Sequence, residues 1–243
     1  IDADEVQKIC DGFRPMRLNI SGSAACPVKL FEQWQQLTGQ VLLERYGMTE
    51  IGMGLSNPYD GERRAGHVGQ PLPGVEEQLF DEDHNPVTEE GVAGEIRIRG
   101  DNVFLEYWDN EKATVESFRD GWFCTGDVAV VENGYYRIMG RSSIDIIKSG
   151  GYKLSALEIE GVLLAHDDIA EVAVIGVEDE TWGESVMAFI GLRDGPRLEY
   201  DDLKRWCDGK MSSYKIPKAI KIIDALPRNA MGKVTKPDLK KLL

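Results

Sequence analysis

Between Gly61 and Gly140 the chain is cut into short strand-like runs, VEEQLF, GEIRIRG, DVAVV and GYYRIMG, separated by Gly, Asn, Asp and Pro. Runs this short with turn residues between them predict an antiparallel sheet or a small barrel. ENG between two of the runs is a hairpin signal, and DEDHNPVTEEG reads as an exposed turn. The flanks have other rhythms. Residues 15–55 run strand, turn, helix, strand through MRLNI, SGSAACP, VKLFEQWQQL and VLLERYG, as at the end of an α/β sheet whose loops carry ligands. After GRSS come a strand pair around IDIIKSGGYK and a helix from Ser155, where Ser155 and Glu158 form an S-x-x-E capping box. Strands EVAVIGV and SVMAFIGL, a helix YDDLKRWCDGKM, a strand KAIKIID and a short helix after Pro237 complete an α+β unit. The change of texture places a boundary near Arg141–Ser143. It separates residues 1–142, with a barrel-like part from about 61 to 142, from a smaller α+β unit at 143–243.

Composition narrows the function. A chain of 243 residues with 42% hydrophobic content can bury a core, and no run of 18 apolar residues occurs, so no membrane span is expected. A net charge of −14 argues against a general nucleic-acid binder, which needs surplus Lys and Arg to neutralise phosphates. The charge is uneven: Lys204 to Leu243 hold 11 basic and 3 acidic residues, which composition alone reads as a solvated lysine-rich face and, on the sharper reading, as a tail that brings positive charge to an anionic ligand. Cys10, Cys26, Cys124 and Cys207 form no CxxC pair, which disfavours zinc or a disulfide framework and suits a reducing, cytoplasmic setting, or a mitochondrion if the chain is eukaryotic. His67, His84 and His166 stand in unrelated contexts, and no His-based triad is visible.

Singly, the chemical motifs are weak. SGSAACP lets backbone amides approach a ligand. FCTGD sets a carboxylate beside a glycine, where Asp127 can accept hydrogen bonds from a ribose diol or make an Asx turn. GRSSIDIIKSGGYK offers Arg141, Lys148 and Lys153 around a double glycine, and PRNAMGKVTK raises Lys233 on a Pro-bounded, Gly-containing loop. Taken in order, SGSAACP, YGMTE, GHVGQPLPG, GEIRIRG, FCTGD, GRSSIDIIKSGGYKLSALEIE and PRNAMGK resemble the ATP-dependent acyl-adenylate-forming family of acyl-CoA synthetases, luciferase-like enzymes and adenylation domains. The likeness covers nearly the whole chain. It implies the C-terminal part of a large α/β adenylate-forming domain, ending in a small antiparallel β-barrel, followed by a small mobile α+β lid domain.

The resemblance also implies roles. Ser23, Tyr46, Gly47, Met48 and Thr49 would line the nucleotide, with Thr49 at the phosphates and Glu50 ligating magnesium. Asp127 would hold the ribose hydroxyls, Arg141 would reach ribose or phosphate, and Lys233 would bridge substrate carboxylate and α-phosphate as a positioned cation. Gly150, Gly151 and Tyr152 would line the CoA channel, and Ser143 stands where the family often has a hinge Asp or Lys. The substrates implied are ATP, CoA and a small acid, with no carrier-protein partner evident. The family's Ser/Thr/Gly-rich phosphate loop does not occur in these residues, so a longer, active enzyme is expected and the fragment alone is expected to be inactive.

MTEIGMGLSNPYDGERRAGHVGQPLPG, DIIKSGGYKLSALEIE and VEDETWGE are most similar to malonyl-CoA synthetases within that family. A dicarboxylate needs a cation for its second carboxylate, and Arg63, then Arg64, are the residues expected to supply it. The competing readings are a short- or medium-chain fatty or aryl acyl-CoA ligase, and a non-catalytic homologue that binds nucleotide. Malonate and methylmalonate are not separated by the sequence.

Overall fold

The computed structural model describes residues 2–193 and 198–243. The chain divides within one strand into two compact units, Ile1–Ile138 and Met139–Leu243.

The first unit opens with α1 (Ala3–Phe13), where Asp2 caps the helix by accepting the Glu5 amide at 2.8 Å. Along it Val6, Cys10 and Phe13 recur at helical spacing, and Cys10 is buried. Phe13 meets Trp34 of α2 (Val28–Thr38) edge to face, with ring centroids 4.8 Å apart. Helix α2 connects β1 (Ile20–Ser21) to β2 (Leu43–Met48), which pair in parallel; β3 (Gly52–Ser56) and β4 (Gln70–Pro71) then add antiparallel strands. The strand-turn-helix-strand rhythm is therefore present, with MRLNI reduced to two paired residues at its end.

The second sheet is antiparallel. It contains β5 (Glu76–Phe80), β6 (Pro86–Val87), β7 (Gly94–Arg99), β8 (Phe118–Arg119), β9 (Trp122–Glu132) and β10 (Tyr135–Arg141). Its order is β10-β9-β7-β5-β6, with β8 on β9. The ENG hairpin joins β9 to β10 through Asn133 and Gly134, at φ 50° and 76°. An isolated antiparallel bridge from Tyr136 to Gly69 ties the β10 edge to the residue before β4. The sheet thus curls as a half-barrel over Ile51, Leu55, Ile96, Ile98 and Phe123. Helix α3 (Glu111–Ser117) precedes β8 and buries no residue, so it carries no apolar period by which to predict it.

The second unit is built on β11 (Ile146–Ser149), β12 (Tyr152–Ser155), β13 (Ile169–Asp179), β14 (Gly183–Leu192) and β15 (Ala219–Ile222), ordered β12-β11-β14-β13 with β15 parallel to β14. Both faces of β13 and β14 are covered. Val172, Val174 and Ile190 pack with Ile159 and Leu163 of α4 (Ala156–Leu163) and Leu203 of α5 (Tyr200–Cys207). Ala173, Ile175 and Phe189 pack with Leu226 and with Leu239 of α6 (Lys236–Lys240). Two-sided burial is why EVAVIGV and SVMAFIGL are almost unbroken apolar runs.

Three details differ from the sequence expectation. Helix α5 stops at Cys207, because Asp208 is extended (ψ 130°) and Gly209 is left-handed (φ 74°). Helix α6 starts at Lys236, with Pro237 inside its first turn where a missing N–H costs nothing. Ser155 Oγ accepts the Glu158 amide at 3.1 Å, but Glu158 turns its carboxylate to Lys215 at 2.5 Å instead of completing the capping box. Among the described residues no helix is long and apolar enough to cross a membrane.

Candidate functional site

Strand β2 and the turn after it concentrate the polar groups of the first unit. Gly47 is required by crowding: a Cβ there would lie 2.0 Å from the Gly52 carbonyl oxygen, so no side chain fits where β2 folds back on β3. The turn closes by a bond from the Ile51 amide to Met48 O at 3.2 Å. Glu50 stands at its tip. The Glu50 Oε1 accepts the Tyr107 hydroxyl at 2.9 Å, its carbonyl accepts the Phe104 amide at 2.8 Å, and Asn102 donates to Ile51 O at 2.8 Å. The segment that carries Asn102, Phe104 and Tyr107 therefore holds the turn, while Thr49 stays exposed.

FCTGD lies inside β9 as a bulge. Glu95 and Arg97 of β7 pair with Val128 and Cys124, so Thr125, Gly126 and Asp127 together oppose Ile96. The bulge satisfies its own polar groups: Thr125 Oγ1 donates to Ile96 O at 2.7 Å and accepts the Asp127 amide at 3.1 Å, and the Gly126 amide donates to Glu95 Oε1 at 3.2 Å. Extra residues re-aim a side chain. Here the buried Asp127 carboxylate meets β2, and Tyr46 donates its hydroxyl to Asp127 Oδ2 at 2.7 Å. Two residues 81 apart in sequence are thereby brought together.

Ser23 sits exposed at φ 69° in the SGSAACP turn, a conformation an L-residue adopts only when its loop demands it. The guanidinium of Arg45 lies against this turn: a Cβ on Gly22 would come within 2.7 Å of Arg45 Nε. That Nε is buried, and no hydrogen bond or ion pair of the Arg45 side chain occurs among the described residues. Arg45 carries no motif in the sequence; its one signal is the charged pair Glu44 and Arg45, which interrupts the apolar run at 41–43 before Tyr46.

Arg63 is differently situated. Its three nitrogens donate to Val41 O at 2.7 Å, Tyr59 O at 2.8 Å and Pro58 O at 3.2 Å, so it fastens a loop while bordering an open cavity of about 390 Å³ with Phe31, Gln35 and Gln40. Arg64 pairs with Glu62 at 3.1 Å, reaches Glu132 O at 3.3 Å and stacks 4.0 Å over the Tyr135 ring. Glu44, 5% exposed, accepts the Gly66 amide at 2.9 Å; burial pushes its carboxyl up to about 7, with that amide pulling the other way.

In the second unit, Arg141 and Ser143 are exposed at a turn closed by Asp145, whose Oδ2 accepts the Arg141 amide at 2.9 Å. Gly150 and Gly151, at φ 58° and 83°, form the two-residue turn between Ser149 and Tyr152, a geometry few other residues adopt. Trp182 O accepts the Gly150 amide at 2.8 Å, Lys218 lies 4.6 Å over the Trp182 ring, and Tyr152 stacks on Tyr214 at 4.8 Å, both tyrosines about half exposed. Trp182 and Tyr214 were missed because neither belongs to the double-glycine motif in sequence.

Lys233 is exposed on a closed loop. Arg228 and Val234 form an antiparallel bridge, and Asn229 Oδ1 accepts the amides of Met231 and Lys233 at 3.0 Å. No partner of the Lys233 ammonium occurs among the described residues.

Comparison with known proteins gives a consistent picture. Residues 5–108 match the AMP-binding enzyme family and residues 158–233 match the AMP-binding enzyme C-terminal domain. The chain is 48% identical over 259 residues to the mitochondrial malonate–CoA ligase ACSF3 of Mus musculus, covering 99% of this chain and 44% of that protein. It is 48% identical over 242 residues to a malonate–CoA ligase of Arabidopsis thaliana, covering 95% of this chain and 39% of that protein. The crystal structure of ATP-bound MatB from Rhodopseudomonas palustris matches with a TM-score of 0.87 at 36% identity, over 100% of this chain and 53% of that one. The fold is shared. The chain spans less than half the length of these curated relatives.

Proposed function

The chain belongs to the AMP-binding enzyme family, and from that premise we propose that it serves an ATP-dependent, AMP-forming acid–thiol ligase whose acid is malonate. Carboxylate and ATP give acyl-AMP and pyrophosphate; the CoA thiol then displaces AMP. No protein nucleophile is needed, so the protein supplies position and charge.

The observation that carries the proposal is the chemistry gathered on one strand and its turn. Within six residues, Arg45 offers an unpartnered buried nitrogen, Tyr46 is joined to the ribose-competent Asp127, and Glu50 presents a carboxylate. Asp127 would take the ribose diol, held in place by Tyr46, with Ser23, Gly47, Met48 and Thr49 beside the nucleotide. Glu50 fits magnesium, a hard cation satisfied by one carboxylate with phosphate oxygens and water. Bound there, the ion would neutralise phosphate charge.

Lys233 would stabilise the negative charge that builds as the acid attacks phosphorus, and Arg141 would contact ribose or phosphate. The Gly150–Gly151 turn and Tyr152, with Trp182 and Tyr214 around them, would face the CoA arm in the second step, with Ser143 as hinge between the two steps. For the distal carboxylate of malonate, Arg45 is the better-supported residue: its Nε is buried without a partner, which is costly unless a ligand anion completes it. Arg63, already donating to three carbonyls, is the rival. An enzyme using ATP and CoA works in an aqueous compartment, the cytoplasm or, as the mouse relative's name has it, the mitochondrion.

The test compares Arg45→Met and Arg63→Met in the full-length enzyme, with malonate, methylmalonate and butyrate in a pyrophosphate-release assay. Loss of a charge-assisted hydrogen bond predicts a fall of about 10–100-fold in kcat/KM for malonate with Arg45→Met and little change for butyrate. A selective loss with Arg63→Met alone transfers the role to Arg63. A wild-type preference for butyrate replaces malonate with a fatty-acid reading, and no AMP from any acid leaves a non-catalytic nucleotide binder.

A further inference from the structure

Three residues beyond the exposed Lys233, the chain carries a second lysine in the opposite setting. Lys236 is 8% exposed, and its Nζ donates to Asp145 Oδ1 at 2.6 Å and lies 2.7 Å from Glu160 Oε1. Each carboxylate is bonded further. Glu160, on α4, accepts the Val174 amide of β13 at 2.8 Å. Asp145 accepts the Arg141 amide on its other oxygen at 2.9 Å, and its own amide donates to Arg141 O at 2.8 Å. Its carbonyl accepts the Ala156 amide at 2.8 Å, at the start of α4. One buried ammonium therefore joins the turn that bears Arg141 and Ser143 to the first residue of α6. The loop bearing Lys233 ends immediately before that residue, where the Thr235 amide donates to Pro227 O at 2.9 Å.

Two carboxylates on one lysine, with side chains only 10–15% exposed, form an expensive arrangement if stability is its only effect, since apolar residues of like volume serve stability as well. Its distinctive product is geometric. A short, shared, low-dielectric ion cluster fixes the distance between two segments more tightly than apolar contacts, which tolerate sliding.

We propose that Lys236, Asp145 and Glu160 are positioning residues that lock the Lys233 loop to the Arg141 turn, so that both cations are presented in one fixed relation for adenylation. The proposal rests on the ligase reading of Lys233. Lys236 touches no reactant in it; the residue acts through the loop it anchors. Removing the ammonium lets the loop shift, and a shift of the order of 1 Å in a charge-stabilising group costs about 10²-fold in rate. The thiol step, which does not use Lys233, is spared.

The experiment uses the full-length enzyme with Lys236→Met, Lys236→Arg, Asp145→Asn and, as a control, Lys233→Ala. It reads malonate-dependent pyrophosphate exchange, CoA-dependent release of AMP from preformed malonyl adenylate, and the melting temperature. The expected result is a fall of about 10²-fold in kcat for exchange with Lys236→Met, an unchanged KM for ATP, a nearly unchanged thiol step, and recovery of most of the loss in Lys236→Arg. Asp145→Asn keeps the Lys236–Glu160 pair and is expected to fall between; it carries the test if Lys236→Met does not fold. Parallel loss of both steps that tracks melting, or no loss of exchange while Lys233→Ala abolishes it, overturns the positioning role alone. Exchange left unchanged by Lys233→Ala overturns the ligase role of Lys233 and the positioning role with it.

Discussion

Tyr46 on β2 donates its hydroxyl to Asp127 Oδ2 on β9 at 2.7 Å, joining the first sheet of the large unit to the bulge of the second. A buried carboxylate that loses one of its hydrogen bonds forfeits about 1–3 kcal/mol. Tyr46→Phe in the full-length enzyme is therefore expected to lower the unfolding free energy read from urea denaturation by that amount and to raise the KM for ATP severalfold as Asp127 loses its orientation. An unchanged midpoint and KM together show that other contacts of Asp127 suffice to hold it.

Gly47→Ala tests the fold of the same strand. The added methyl meets the Gly52 carbonyl oxygen at 2.0 Å, backbone against backbone, where no side chain can rotate away. Overpacking of this kind costs about 1–3 kcal/mol at least, and relief requires the β2–β3 turn to open. Denaturation should show the loss, and hydrogen exchange should show it at the amide of Ile51, which closes the turn. A variant as stable as the parent means that β2 and β3 separate there more easily than their pairing implies.

The parts of this fold legible in sequence are those with a period or a punctuation mark. The helix VKLFEQWQQL, the ENG hairpin and the two-sided runs of β13 and β14 each announce themselves by apolar spacing or by turn residues. Helix α3 does not, because it buries nothing. The bulge at Thr125, Gly126 and Asp127 was read as a motif but not as a bulge, since the flanking alternation gives no hint that three residues oppose one. The arginines show the limit most clearly. Arg45 and Arg63 are equally basic in sequence; only the folded loop brings the carbonyls of Val41, Pro58 and Tyr59 onto Arg63 and leaves Arg45 Nε without a partner.

Stability is expected to fall from mildly acid to mildly alkaline pH. Burial lifts Glu44 from an ordinary value near 4.5 to about 7, and Glu77 likewise to about 7. For an acid whose folded value is raised, the contribution is complete below 4.5 and disappears as pH climbs through 7, because the unfolded chain ionises first. Glu44→Gln keeps an acceptor for the Gly66 amide and removes the charge. It should raise the melting temperature at pH 8, leave it unchanged at pH 4, and flatten the slope between, with the remainder due to Glu77 and to Glu160, which burial also lifts. A slope identical to the parent's shows that Glu44 ionises without penalty.

The two steps of the proposed reaction separate two glycine- and lysine-bearing loops of the small unit. Lys233→Ala removes an exposed ammonium from a loop that Asn229 continues to hold through two amide bonds at 3.0 Å, so the fold should survive while adenylation falls about 10²–10³-fold. Gly150→Ala does the reverse. Its φ of 58° is unfavourable to alanine, and the new Cβ would come within 2.7 Å of Trp182 Cε3, so the turn must move away from the ring or the ring from the turn. Pyrophosphate exchange, which needs no CoA, should be nearly unchanged, while the KM for CoA rises and transfer of the acyl group slows. Equal loss of both steps in Gly150→Ala removes the turn from the CoA-facing role, whereas a loss confined to the thiol step assigns opposite halves of the reaction to two loops whose geometry is set by a hairpin in one case and an asparagine clamp in the other.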